Sequence, residues 1–239
     1  MELEHSHDAD AITRRLASEN KPNYTRDWVY GGIDGAVTTF AIVAGVVGAQ
    51  LSSGIILVLG IANLLADGFS MAASNYSGTK TEVDDRARLR EIETKHIEHS
   101  PDGEREEVRQ ILRTKGMHGH VLEEAVQAIT SDRNIWIEMM LSDEYGLASI
   151  VRSPWSAGIV TFVSFCICGA VPLIPFLLQI DNAMVWASFL TGAVFFGIGA
   201  IKSRWSLAPW WRSGLETFFI GMLAASVAYA VGYLLRDLA

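Results

Sequence analysis

The sequence predicts an all-α membrane protein of five transmembrane helices, with a cytoplasmic helical domain inserted between the second and the third. Three observations predict it. Five apolar segments, at about 28–50, 55–77, 155–178, 183–201 and 213–235, approach the roughly 20 residues that a helix needs to cross ~30 Å of hydrocarbon. A single polar stretch, 78–153, separates the second segment from the third. Eighteen of the nineteen Lys and Arg residues fall on one side of the topology that these segments imply. Composition agrees: half of the residues are hydrophobic, mean hydropathy is +0.24, and only 19% are charged. The apolar runs lack the alternation of a barrel strand, so helices are the expected spanning form.

Residues 1–27 are polar and acidic at their start, with no apolar stretch of the kind a signal peptide needs. The first span is expected to act as the insertion signal. Span 1 carries Asp34 within otherwise apolar or small residues, and span 2 carries Asp67, four residues before Met71. The two spans occupy 28–77 and the last three 154–239. In span 3, Pro172 and Pro175 predict a kink, because proline removes a helical donor and its ring clashes with the preceding turn. Cys166 and Cys168 in that span point to different faces and read as packing. Lys202 and Glu216 flank the loop before span 5 and are expected to pair. The basic residues before span 1, after span 2 and between spans 4 and 5 place those segments in the cytoplasm, whereas only Arg236 follows span 5. The N-terminus is therefore expected inside and the C-terminus outside the cell (inner) membrane.

The polar stretch 78–153 carries sixteen Asp and Glu against eleven Lys and Arg. Its acidity excludes the basic face that nucleic acid wants and suits cations. Its first part lacks Gly and Pro and should continue the helix of span 2. Ser100-Pro101 offers an N-cap and a first-turn proline, and Gly116 a left-handed stop. Helices are expected at about 101–114, 119–130 and 132–145.

The side chains with chemistry are carboxylates, an imidazole and thioethers. Asp27 and Asp34 share one face of span 1, and Asn63, Asp67 and Met71 one face of span 2. An ionised acid at bilayer depth costs ~2.5–3.5 kcal/mol on insertion scales, so such a group implies a partner, a wet path or a cation. A hydrogen bond to the Thr38 or Thr39 region is the structural alternative for Asp34, and core filling for Met71. Gly31, Gly32 and Gly35 either loosen span 1 or admit close packing. In the soluble domain Glu104 and Glu107, Glu93 and His96, and Met140 and Glu144 pair at helical spacing. Such sets suit Fe²⁺, Mn²⁺ or Co²⁺, although acid pairs on charged helices are more often solvated faces. His5 and His7 form one weak H-x-H. No Walker loop, dinucleotide fingerprint or nucleophile elbow occurs, so neither an enzyme nor an ATP-driven pump is expected.

RDWVYGGIDGAVTTFAIVAG and GIANLLADGFSMAASNYSGTKTE, with PDGEREEVRQILRTKGM and MMLSDEYGL, resemble the vacuolar iron transporter family over residues 24 to 235, and the chain reads as a bacterial-type member. The resemblance implies a homodimer of five-helix subunits that exchanges protons for Fe²⁺ and related ions and moves metal out of the cytosol. It implies an ion path along the first two helices of each subunit and a glutamate-rich domain that gathers metal. It places the family's transit aspartates on Asp27 and Asp34, its methionine on Met71, its E-x-x-E on Glu104 and Glu107, and its late glutamate on Glu144. The upstream glutamate pair falls on Glu93 and His96, unless the match shifts to Glu91 or Glu98. Met140 and Leu141 stand where the family often has two methionines, Ser74-Asn75-Tyr76 replaces G-E-Y, and Asp67 stands where a small residue is usual.

The expected function is therefore export of divalent metal (Fe²⁺, with Mn²⁺ and others) by proton antiport. The ligands would be Asp34, Met71, Asp27, Asp67, Glu93, His96, Glu104, Glu107, Met140 and Glu144. Lipid, metal ions, protons and a second copy are the expected partners, nucleic acid is not, and no cofactor is permanently bound. The alternatives are a membrane-anchored metal sensor and a passive cation channel.

Overall fold

A computed structural model of the chain describes residues 6–17, 21–148 and 150–234; His5 and Arg236 lie outside them. The described residues are helical, with no strand among them. A short helix, α1 (Ala9–Ala17), precedes α2 (Thr25–Gly48) and α3 (Ser53–His99). Then come α4 (Pro101–Thr114), α5 (Gly119–Thr130) and α6 (Arg133–Asp143). The chain continues with α7 (Pro154–Ala170), α8 (Ile174–Leu177), α9 (Ala183–Lys202) and α10 (Trp210–Leu234). Five of its helical segments are long and apolar enough to cross a membrane: α2, α3, the α7–α8 segment, α9 with the turn after it, and α10. The chain is a multi-pass membrane protein by these lengths and compositions.

Residues divide into two compact units. The membrane unit comprises Asn23–Lys80 and the chain from Ser153 onward. Its centre is α2, which packs on α7, α9 and α10. Small residues permit this. A β-carbon on Gly35 would lie 2.3 Å from the Phe165 carbonyl, and one on Gly31 would lie 2.2 Å from the Ser164 hydroxyl. These glycines serve close packing, the second of the two roles expected of them. The apolar core here joins Phe40, Val43, Ala44 and Val46 of α2 to Ile56, Leu173, Phe176 and Ala225. Along α3 and α10 large apolar side chains such as Val58, Leu65, Phe69, Phe219 and Leu223 stay exposed, as a lipid-facing surface requires.

The third span behaves as its prolines dictate. α7 begins with Ser153 accepting from the Ser156 amide at 3.3 Å and Pro154 in the first turn. It stops at Ala170, and Pro172 and Pro175 divide the remainder into a 3₁₀ turn, Val171–Leu173, and the short α8. Cys166 and Cys168 are free thiols on different sides of α7: Cys166 donates to the Leu64 carbonyl at 3.7 Å, and Cys168 packs beside Gly32.

The second unit takes Thr81–Arg152 together with α1. α3 is unbroken for 47 residues, more than twice what a bilayer crossing needs, so the expected continuation of span 2 as helix is observed. α4 and α5 have the expected bounds. Gly116 stops α4 with φ +90°, a conformation that side chains with a β-carbon resist. Ser100 occupies the N-cap position, but its hydroxyl caps no amide; Pro101 supplies the start instead. α6 runs 133–143 rather than 132–145, because Asp132 is the cap itself, accepting from Asn134 N at 2.8 Å and Ile135 N at 3.1 Å. The core of this unit is Val108, Leu112, Leu122, Val126, Trp136 and Met140, with Leu89, Ile137 and Leu141 beside it. Ion pairs tie its helices outside the core: Arg86 and Arg90 to Glu138, Arg109 to Glu106 and Glu123, Lys115 to Asp143, and Arg133 to Glu98.

Candidate functional site

In the membrane unit the acids of the first two spans occupy distinct surroundings. Asp34 and Asp67 are both half-buried, and Asp67 is near enough to Asp34 for its negative charge to be felt there. The Thr38 and Thr39 hydroxyls accept from Asn63, whose Nδ2 donates to them at 3.2 and 3.4 Å. Asn63 is thus a rivet between α2 and α3, and the two acids one turn below it carry the charge. Met71, half-buried, follows Asp67 by four residues on the same helical face.

Asp27 is 1% exposed. Its Oδ1 accepts from Asn75 Nδ2 at 2.8 Å, and that same nitrogen lies 2.7 Å from the Thr161 hydroxyl. Three helices, α2, α3 and α7, meet in this network. Spacing along one helix reveals i, i+4 neighbours; it does not reveal Asn75 and Thr161, which reach Asp27 across 48 and 134 positions.

The second unit holds a cluster of its own. One ligand atom each from Glu93, His96 and Glu104 lie within 4.8 Å of one another. Helical spacing brings Glu93 and His96 together on α3, and the Ser100-Pro101 break folds α4 back so that Glu104 meets them. His96 Nδ1 is 3.2 Å from Glu104 Oε1 and 3.9 Å from Glu93 Oε1. Of the neighbouring acids, Glu91 pairs with Lys95 at 2.9 Å and Glu98 pairs with Arg133. Glu93 and Glu104 are buried at 1% and 4% exposure, and each keeps one oxygen, Oε2, buried without a hydrogen-bond partner. Buried carboxylate oxygens are normally satisfied. Two together beside an imidazole nitrogen leave donor atoms for a proton or a cation.

Electrostatics follow from that burial. Glu104 is pushed up to about 7, first by burial and then by the negative charges of Glu93 and Glu107. Glu144 is raised as well, by burial and by Glu93 and Glu107. Glu107 and Glu144 are themselves exposed, so they form an acidic rim outside the buried pair. Tyr145 donates its hydroxyl to Glu93 Oε1 at 2.9 Å, and that bond together with burial raises the tyrosine's own pKa. Tyr145 orients Glu93 and was not legible in the sequence, where it is simply the neighbour of Glu144. Met140 is placed otherwise: fully buried, it packs in the apolar core with Val108 and Trp136.

Comparison with known proteins adds independent findings. The sequence profile of the VIT family matches residues 25–233. Vacuolar iron transporter 1 of Arabidopsis thaliana is 31% identical over 209 residues, covering 86% of this chain and 84% of that one. The vacuolar iron transporter of Toxoplasma gondii is 31% identical over 244 residues, covering 94% and 81%. That of Plasmodium berghei is 28% identical over 222 residues, covering 87% and 81%. None of these three organisms is bacterial, so they lend nothing to the expected bacterial-type character.

Proposed function

The chain belongs to the VIT family, and from that premise we propose that it exports Fe²⁺ and related divalent ions, such as Mn²⁺, from the cytosol in exchange for protons. The observation that carries the reading is the pair Asp34 and Asp67: two carboxylates kept within apolar spans, close enough to repel, with Met71 one turn away. A divalent ion between them removes the repulsion and repays part of the cost of holding charge at bilayer depth.

In this reading the acidic domain is cytoplasmic and gathers metal. Glu107 and Glu144 attract the ion, and Glu93, His96 and Glu104 hold it with two buried oxygens and one nitrogen. Asp27 guards the cytoplasmic mouth, Asp34 and Met71 are the transit ligands, and Asp67 meets the ion next because α3 runs from outside to inside. Metal must displace protons from carboxylates to bind, so protons arriving from the outer side can drive release. Met140, packed in the core, serves the domain's stability in this scheme. A homodimer in the cell (inner) membrane, with the N-terminus in the cytoplasm, completes the proposal; the one-sided distribution of Lys and Arg supports that orientation.

The test is flux into liposomes holding the purified chain, with metal and internal pH recorded together. Metal entry with stoichiometric proton counterflow is the expected result. Metal entry without proton movement would make the protein a passive channel. No metal entry, with metal still bound, would make it a sensor.

A further inference from the structure

Beyond the acids, the membrane unit has a basic pocket that the proposed transport does not use. A groove of about 420 Å³ lies between the first two turns of α2 and the end of α9. Asn23, Thr25, Arg26, Val29, Tyr30, Lys202 and Trp205 line it, and no acid is among them. Arg26 lies over the Tyr30 ring, 5.2 Å from its centre, and Lys202 reaches its carboxylate neighbour Glu216 only at 3.9 Å. Arg86, Arg90, Arg109 and Arg133 of the second unit, by contrast, are closely paired with acids. Asp27, next to Arg26 in sequence, is committed to Asn75 on α3.

We propose that this groove binds the phosphate of an anionic phospholipid headgroup, with Arg26 and Lys202 as its cations. The placement favours a lipid over a free anion. Both cations sit at the ends of spanning helices, where the polar headgroups begin. Tyr30 and Trp205 are more than half exposed there, 52% and 57%, as rings of a membrane-interface belt are. Ile201, also exposed, extends the apolar wall on which an acyl chain would lie. Basic pockets between spanning helices on the cytoplasmic side bind anionic headgroups by the same combination.

Native mass spectrometry of the full chain in detergent, titrated with phosphatidylglycerol, with phosphatidylcholine and with inorganic phosphate as competitor, tests this. The expected results are retention of phosphatidylglycerol at least ~10-fold better than phosphatidylcholine, and a loss of ~10-fold or more in Arg26→Gln/Lys202→Gln, since a charge-assisted hydrogen bond contributes ~1.5–3 kcal/mol. Arg26→Lys/Lys202→Arg should keep the preference, and Arg212→Gln, outside the groove, should match wild type. Should the double variant fail to fold, the two single Gln variants carry the test, each with partial loss. Unchanged retention in the Gln variants, equal retention of both lipids, or displacement of lipid by inorganic phosphate at equal concentration overturns the proposal.

Discussion

At Asp34 a carboxylate is held in an apolar helix beside a second acid, Asp67, while the nearby threonine hydroxyls bond to Asn63. If the charge serves transport, Asp34→Asn should keep the fold and lose most metal flux, because an amide is close in shape to the acid but binds a divalent cation poorly. Wild-type flux from the mutant in liposomes would rule the role out. Glu104 allows a pH prediction. Its folded-state pKa is raised from about 4.5 to about 7, so the native state holds a proton that the unfolded state has released between those values. Stability from this group is therefore present below pH 4.5 and lost as pH rises through 7. In the metal-free full chain, hydrogen exchange of the α4 amides should quicken from pH 5 to pH 8 once corrected for the intrinsic rate. Divalent metal at pH 8 should slow it again, and Glu104→Gln should remove the pH-dependent part. A corrected rate that does not change with pH in wild type contradicts the assignment.

At the scale of elements, the sequence was most legible where a local signal fixes the backbone. Pro101 and Gly116 bound α4, and Pro172 with Pro175 break the third span, all within a few residues of the signal itself, whereas Asp132, expected inside its helix, is the cap of α6. Contacts between elements were less legible. Helical spacing paired Glu93 with His96 and only the family resemblance added Glu104; the contact itself needs α4 folded back on α3, and Tyr145 joins Glu93 across 52 positions. The expected pairing of Lys202 with Glu216 exists only as a 3.9 Å contact. Asp132 gives a measurable element-scale expectation. Its side chain satisfies two otherwise orphaned amides of α6, so Asp132→Ala should cost ~1 kcal/mol of the domain's stability. Because α6 carries Trp136 and Met140 into the core, that loss should appear as faster hydrogen exchange along 133–143, with α2 unaffected. Exchange in α6 that matches wild type would show that the cap contributes nothing there.

For the whole molecule, the apolar pattern set the number and order of the spans, because crossing a bilayer imposes a minimum length that few other structures need. The pattern does not say which exposed apolar face meets lipid and which meets protein, since both are apolar in a membrane. α3 presents this ambiguity most sharply. Only 22% of its most apolar window is buried, yet this helix carries Asp67 and Met71. Ala62, Ala66 and Ser70, small and exposed, follow one another at four-residue steps along it, a stripe that lets a second helix approach closely. A metal between Asp34, Asp67 and Met71 would also find few protein donors in one chain, fewer than the six or so that Fe²⁺ and Mn²⁺ commonly take; a second chain apposed along α3 would double the set. Ala66→Cys should therefore form a disulfide-linked species of twice the chain mass under mild oxidation in the membrane. Val227→Cys, on the exposed face of α10, should not, and wild type with its half-buried Cys166 and buried Cys168 should stay monomeric on the same gel. Cross-linking at Val227 with none at Ala66 would move the dimer contact to α10 and leave the membrane acids to work within one chain.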